Sequence, residues 1–233
     1  MRLIKTLSLA AFAALAAMAF VGVSSASAQE HEVVICNKNE PLCANGQLKP
    51  AGASLTLLGK LEKLDPPPGE EVHAVLLGNV NELCAESHAK GTITSSIPLH
   101  GEITELTFKN CTPCSEVTVL NLPYLVSVLH LIGAGKHLWL AHVTPTIKGP
   151  IRVHFKGCPF GVTCEFGSSN ILLDLENTAE GLPLILTLKP ILERTGGSAF
   201  FCGNTGEWDA NYLTEVLSSG VKQKGYLSLD KKA

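Results

Sequence analysis

Short runs of apolar or alternating apolar and polar residues recur along this chain, each broken by Gly, Pro or Asn. After residue 28 no stretch carries a long amphipathic helical repeat, so the pattern predicts strands. They are expected at 33–35, 54–58, 72–77, 91–97, 103–108, 117–120, 125–132, 137–143, 151–155, 170–175, 184–188, 199–202, 212–217 and 226–229. The segment NYLTEVLSS (211–219) fits either a helix or a strand ahead of GVKQKG. Many short strands between turn residues predict an all-β fold, an antiparallel β-sandwich or β-roll.

Two strands reveal their depth. In LVSVLHLI (125–132), Leu125, Leu129 and Leu131 lie on one face and Val126, Val128 and Ile132 on the other. A strand apolar on both faces belongs near a sheet centre, with one face less well covered. In NILLDLEN (170–177), Ile171, Leu173 and Leu175 point one way and Leu172, Asp174 and Glu176 the other, which predicts a half-solvated strand.

The first 28 residues follow another pattern. Arg2 and Lys5 precede an apolar, alanine-rich run from 7 to 23, and Ala26-Ser27-Ala28 supplies small residues for cleavage. This is the signature of a secretory signal peptide, too short and too poorly flanked for a membrane anchor. The expected mature chain, 29–233, has about 205 residues, enough for one disulfide-bonded β domain. LDPPPGEE (64–71) is the sharpest break in composition; its prolines favour an extended loop or a minor boundary. The segment before it is too short to bury a core of its own.

Export changes how the eight cysteines are read. Cys36, Cys43, Cys84, Cys111, Cys114, Cys158, Cys164 and Cys202 all fall after the leader, and an even number in an oxidising compartment points to disulfides. Local closure is expected for Cys36 with Cys43 and for Cys158 with Cys164, across turn-like CNKNEPLC and CPFGVTC. Cys111 and Cys114 are then expected to reach different partners, Cys84 and Cys202. A bridge from Cys114 to Cys202 closes a long loop and contributes about 4 to 5 kcal/mol in the chain-entropy model, against about 2.5 for a short one.

The Cys111-x-x-Cys114 pair invites two other readings. A redox couple needs a helix start to stabilise its thiolate, whereas SEVTVL after Cys114 is β-branched and Pro123 follows soon after. A structural zinc site needs four ligands, commonly as two short-spaced pairs, and only one such pair exists. Structural bridges are therefore expected, with no metal and no cofactor.

Charge excludes one partner class. The formal net charge is −3, about −5 without Arg2 and Lys5, and only Arg152 and Arg194 remain as arginines, so no basic nucleic-acid footprint exists. No stretch after the leader has membrane-spanning length.

No catalytic motif assembles in the sequence. Ser168 and Ser169 lack a nucleophile elbow, and neither a His-Glu-x-x-His nor a phosphate-cradling pattern is present. His130 and His142 sit among apolar residues as core histidines would, and His137 and His154 fit exposed positions. Asp174 and Glu176 share one strand face and could form a carboxylate pair. Asn110 begins an Asn-Cys-Thr glycosylation triplet, but a bridged Cys111 competes with that use. Trp208 and Tyr212 provide aromatic area for a core corner or a binding face.

Three stretches, GEITELTFKNC (101–111), LNLPY (120–124) and FFCGNTGEWDANY (200–212), together resemble secreted cysteine-containing β-proteins of high-GC Gram-positive bacteria. FKNCT and LNLPY also resemble the exported family of alkane-oxidation activators, and the likeness spans about 110 residues. It implies export and a β fold, and it transfers no catalytic residue. The expected role is a secreted or cell-envelope binding or structural protein for a surface polymer, an apolar small molecule or another protein. The alternative is a secreted hydrolase using His and Asp or Glu on sheet strands.

Overall fold

The computed structural model describes residues 32–43, 55–61, 74–77, 79, 81–96, 98–133, 136–181, 183–188 and 190–230. The leader (1–28) and the 64–71 stretch lie outside them. Residues 31–233 form one compact unit, and four disulfides brace its nearly all-β fold, in which every described strand pair but one is antiparallel.

Eight strands close a ring. In order around it they are β16 (Asn211–Ser218), β13 (Pro183–Thr187), β12 (Ile171–Asn177), β9 (Lys136–Thr144), β8 (Tyr124–Gly133), β6 (Leu99–Thr112), β5 (Glu82–Ser96) and β3 (Leu55–Leu61). β3 pairs with both β5 and β16 and completes the circuit. All eight junctions are antiparallel. A closed eight-stranded ring has an interior that side chains can nearly fill. The Asn211–Ser218 segment is thus a strand, with Tyr212, Thr214 and Val216 buried at every second position.

The hairpin of β5 and β6 is longer than the ring requires. Beyond it, Cys84 of β5 stands opposite Cys111 of β6, and β4 (Ala74–Leu77) adds to β5. From there a second sheet runs through β15 (Thr205–Asp209), β14 (Ile191–Gly196), β11 (Cys164–Ser168), β10 (Ile151–Lys156) and β7 (Glu116–Leu120). β17 (Val221–Gln223) pairs with β16, and β1 (Val33–Cys36), β18 (Tyr226–Asp230) and β2 (Leu42–Cys43) form a separate three-stranded sheet whose Val33, Ile35, Leu227 and Leu229 join the main core. β1 is buried along its whole length.

LNLPY makes the corner between second sheet and ring. Asn121 takes a left-handed conformation, φ 66°, and its amide donates to the Pro150 carbonyl at 2.7 Å. The Tyr124 hydroxyl donates to the Leu120 carbonyl and accepts from the Arg152 N–H, so a fully buried phenol fixes the turn.

The bridges are Cys36–Cys43, Cys84–Cys111, Cys114–Cys158 and Cys164–Cys202. Cys36–Cys43 closes locally, and Cys84–Cys111 is one of the pairings expected for Cys111. The expected Cys158–Cys164 loop and Cys114–Cys202 link are corrected. The β10–β7 ladder pairs Lys156 with Glu116, and two residues further along the same register Cys158 meets Cys114. Cys164 stands in β11 and meets Cys202 on the short helix α1 (Ala199–Cys202). That helix replaces the strand expected at 199–202. Gly197 and Gly203, at φ 86° and 76°, turn the chain on either side, and the Cys202 N–H donates to the Ser198 carbonyl.

Candidate functional site

The ring interior holds an apolar cavity of about 130 Å³. Its wall alternates as the pleat demands: Val126 and Val128 of β8, Ala141 and Val143 of β9, and Leu173 and Leu175 of β12 point inward. Ile35 of β1 and Leu227 of β18 also line it, so the small sheet forms part of the wall. A second apolar cavity, about 50 Å³, lies between the ring and the second sheet and includes Val117, Val153, Phe155 and Leu192. The two share Ile103, Leu106, Val143, Leu173 and Trp208 as lining.

Polar groups in this interior are few. Tyr212 and Ser87, both buried, form a hydroxyl pair at 2.7 Å, and burial pushes the Tyr212 phenol well above its ordinary range. Glu82, 2% exposed, lines the smaller cavity, and its Oε2 accepts the Cys114 N–H at 3.0 Å. Its Oε1 has no hydrogen-bond partner among the described residues. Burial pushes the carboxyl up from 4.5 to about 7, against the lowering effect of the Cys114 N–H. The Trp208 indole N–H is likewise without a described partner. Register places Glu82 and Trp208 on one sheet face, each opposite Leu76 of the strand between them.

The Cys-x-x-Cys stretch acquires a definite role here. Cys111 is tied to Cys84 and Cys114 to Cys158, so neither thiol is free, and together the two bridges hold the turn that delivers the Cys114 N–H to Glu82. Among the described residues two clusters have metal-like spacing, Cys36–Glu40–Cys43 and Glu82–Cys84–Cys111, but in each the two sulfurs are bonded to each other and offer no thiolate.

The hydrolase candidates do not converge. His130 faces inward, with its ring 4.6 Å from that of Trp139. His142 and Asp174 lie on the opposite, outer face, opposite Leu172 and Leu140, and Glu176 is exposed beside them. None of the four lines either cavity. His154 stands between Thr118 and Glu165 on the second sheet, and Ser168 closes a turn with Asn170. The His137 side chain lies outside the described ones.

The outside of the ring is two-sided. On β8, β9 and β12, Leu125, Leu129, Leu131, Leu138 and Leu172 are 40–48% exposed, on an outer face they share with Ser127, His142 and Asp174. Across β3, β5 and β6 the corresponding positions include Lys60, His88, Lys90 and Glu105. Phe160, at φ 63° and 90% exposed, joins Phe200 and Phe201 in a surface aromatic cluster beside the Cys164–Cys202 bridge. Sequence reading missed Glu82 altogether. One acid at the start of a strand carries no local sign that two bridges and a second sheet bury it.

No family model, curated protein or solved structure matches this chain. Among the described residues, no helix is long and apolar enough to cross a membrane.

Proposed function

We propose that the protein is an exported, non-enzymatic binding protein that takes a small apolar molecule into the ring interior. The observation that carries this reading is the cavity of about 130 Å³ with its apolar wall. By the dependence measured for core cavities, a void of that size costs about 3 kcal/mol. A folded domain commonly has only about 5 to 15 kcal/mol in total. An occupant recovers the lost contacts, and a cavity of similar size in another protein stays dry and takes benzene. The four disulfides suit an oxidising compartment, which agrees with the signal-like leader. Of the partners left open by the sequence, surface polymer, apolar small molecule or protein, the interior favours the small molecule.

The test is thermal unfolding of the oxidised protein with saturating 4-ethyltoluene. A ligand at a hundred times its Kd adds about 2.7 kcal/mol and raises Tm. Ala141→Leu, placed in the buried wall, fills the space; the variant is expected to keep its fold and lose the ligand-induced shift. No shift in the unmodified protein with 4-ethyltoluene, benzene or indole would overturn the reading.

A further inference from the structure

We propose that the preferred occupant carries a hydroxyl group, which donates to Glu82 and accepts from the Trp208 indole N–H. This rests on the binding reading above and names its ligand class: a small phenol or alcohol, with its hydroxyl end in the smaller cavity lined by Glu82 and its apolar body reaching past Trp208, which lines both cavities.

Two buried polar groups belong to residues that line the same cavity. Glu82 Oε1 is an acceptor buried in the wall of the smaller cavity with no described partner. Trp208 Nε1 is a donor in the same condition, on the residue that lines both cavities. An unmade hydrogen bond on a buried group is destabilising, and buried polar groups are rarely left so. The two side chains rise from one sheet face with a single strand between them, about 10 Å apart at the backbone by ordinary strand spacing. The assignment requires the two side chains to reach one shared group between them. A hydroxyl is the smallest group that offers one donor and one acceptor at once. An ammonium has no acceptor for the indole, and a hydrocarbon satisfies neither.

The arrangement is built by the fold. Cys114 N–H fixes Oε2, which leaves Oε1 as the free atom, and the Cys84–Cys111 and Cys114–Cys158 bridges hold the residues around it. Trp208 packs edge-on to Tyr212 at 6.4 Å between ring centroids, which sets the indole plane. Tyr212 and Ser87 satisfy each other and do not compete.

The experiment is calorimetric titration of the oxidised protein with an isosteric pair, 4-ethylphenol and 4-ethyltoluene. A cavity without polar partners rejects the phenol, because its hydroxyl leaves water for nothing. The expected result is that the phenol binds at least as tightly as the hydrocarbon. In Glu82→Leu the phenol is expected to weaken by tenfold or more while the hydrocarbon is retained. Trp208→Phe keeps an aromatic ring without the N–H; it is expected to weaken the phenol several-fold and leaves a test should Glu82→Leu not fold. If the hydrocarbon binds and the phenol does not, or if both variants keep the preference, the hydroxyl assignment fails and the cavity reading survives. If neither compound binds, the hydroxyl assignment fails, and the cavity reading falls with it when benzene and indole give no shift either.

Discussion

Glu82 is where a single residue has the most to say about stability. Its carboxyl titrates near 4.5 when free and at about 7 in the fold, because burial disfavours the charge more than one N–H restores it. The folded state therefore holds the proton more tightly than the unfolded chain does. The stability this contributes is complete below about pH 4.5 and is lost as pH rises through 7, a span of about 3 kcal/mol. Urea midpoints at pH 5 and pH 8 should fall with pH in the unmodified protein, and the fall should be smaller in Glu82→Gln. A second residue-scale expectation concerns the buried hydroxyl pair. Tyr212→Phe strands the Ser87 hydroxyl and is expected to cost about 1 to 3 kcal/mol, and adding Ser87→Ala should cost less than the two single changes summed, as a double-mutant cycle would show. At this scale the sequence showed Tyr212 and Trp208 as aromatic anchors but gave no sign of Glu82, whose setting comes from residues 30 and more positions away.

Strands and bridges follow periodicity where the period is clean. Ile171, Leu173 and Leu175 face in, and Leu172 and Glu176 are exposed, as alternation dictates. Leu173→Ala is expected to cost about 2 to 5 kcal/mol, whereas Leu129→Ser on the outer face should stay within about 0.5, both read from denaturant midpoints. Strands without a clean apolar run were not legible. ILERTG in β14 and CEFGS in β11 mix polar residues and glycine, and only pairing with neighbours makes them strands. The expected Cys158–Cys164 loop and Cys114–Cys202 link failed for a related reason: the expectation favoured a short loop for Cys158, while the β10–β7 register sets it beside Cys114. Removing that bridge with Cys114→Ser and Cys158→Ser should cost about 4 kcal/mol, against about 2.5 for Cys36–Cys43, by urea unfolding.

For the molecule as a whole, covalent and non-covalent bracing are divided. Cys114–Cys158 and Cys164–Cys202 lie in the second sheet and its loops, Cys84–Cys111 where the long hairpin enters it, and Cys36–Cys43 in the small sheet. Full reduction is therefore expected to raise amide exchange in β7, β10 and β11 well before β9 and β12, as hydrogen-exchange mass spectrometry would report. Ring closure was the least legible feature of the sequence, since no local pattern says that β3 and β16 are partners.

That junction also fixes an order of events. Synthesis proceeds from the N-terminus, so β3 and β5 are made long before Ser218, the residue that pairs with Leu55, exists. β1 waits longer still, for Leu229. Throughout that interval one margin of β3 has no mate within its own chain, and such a margin invites pairing with foreign strands. A nascent chain of this design needs either speed at its C-terminus or a chaperone at its N-terminus.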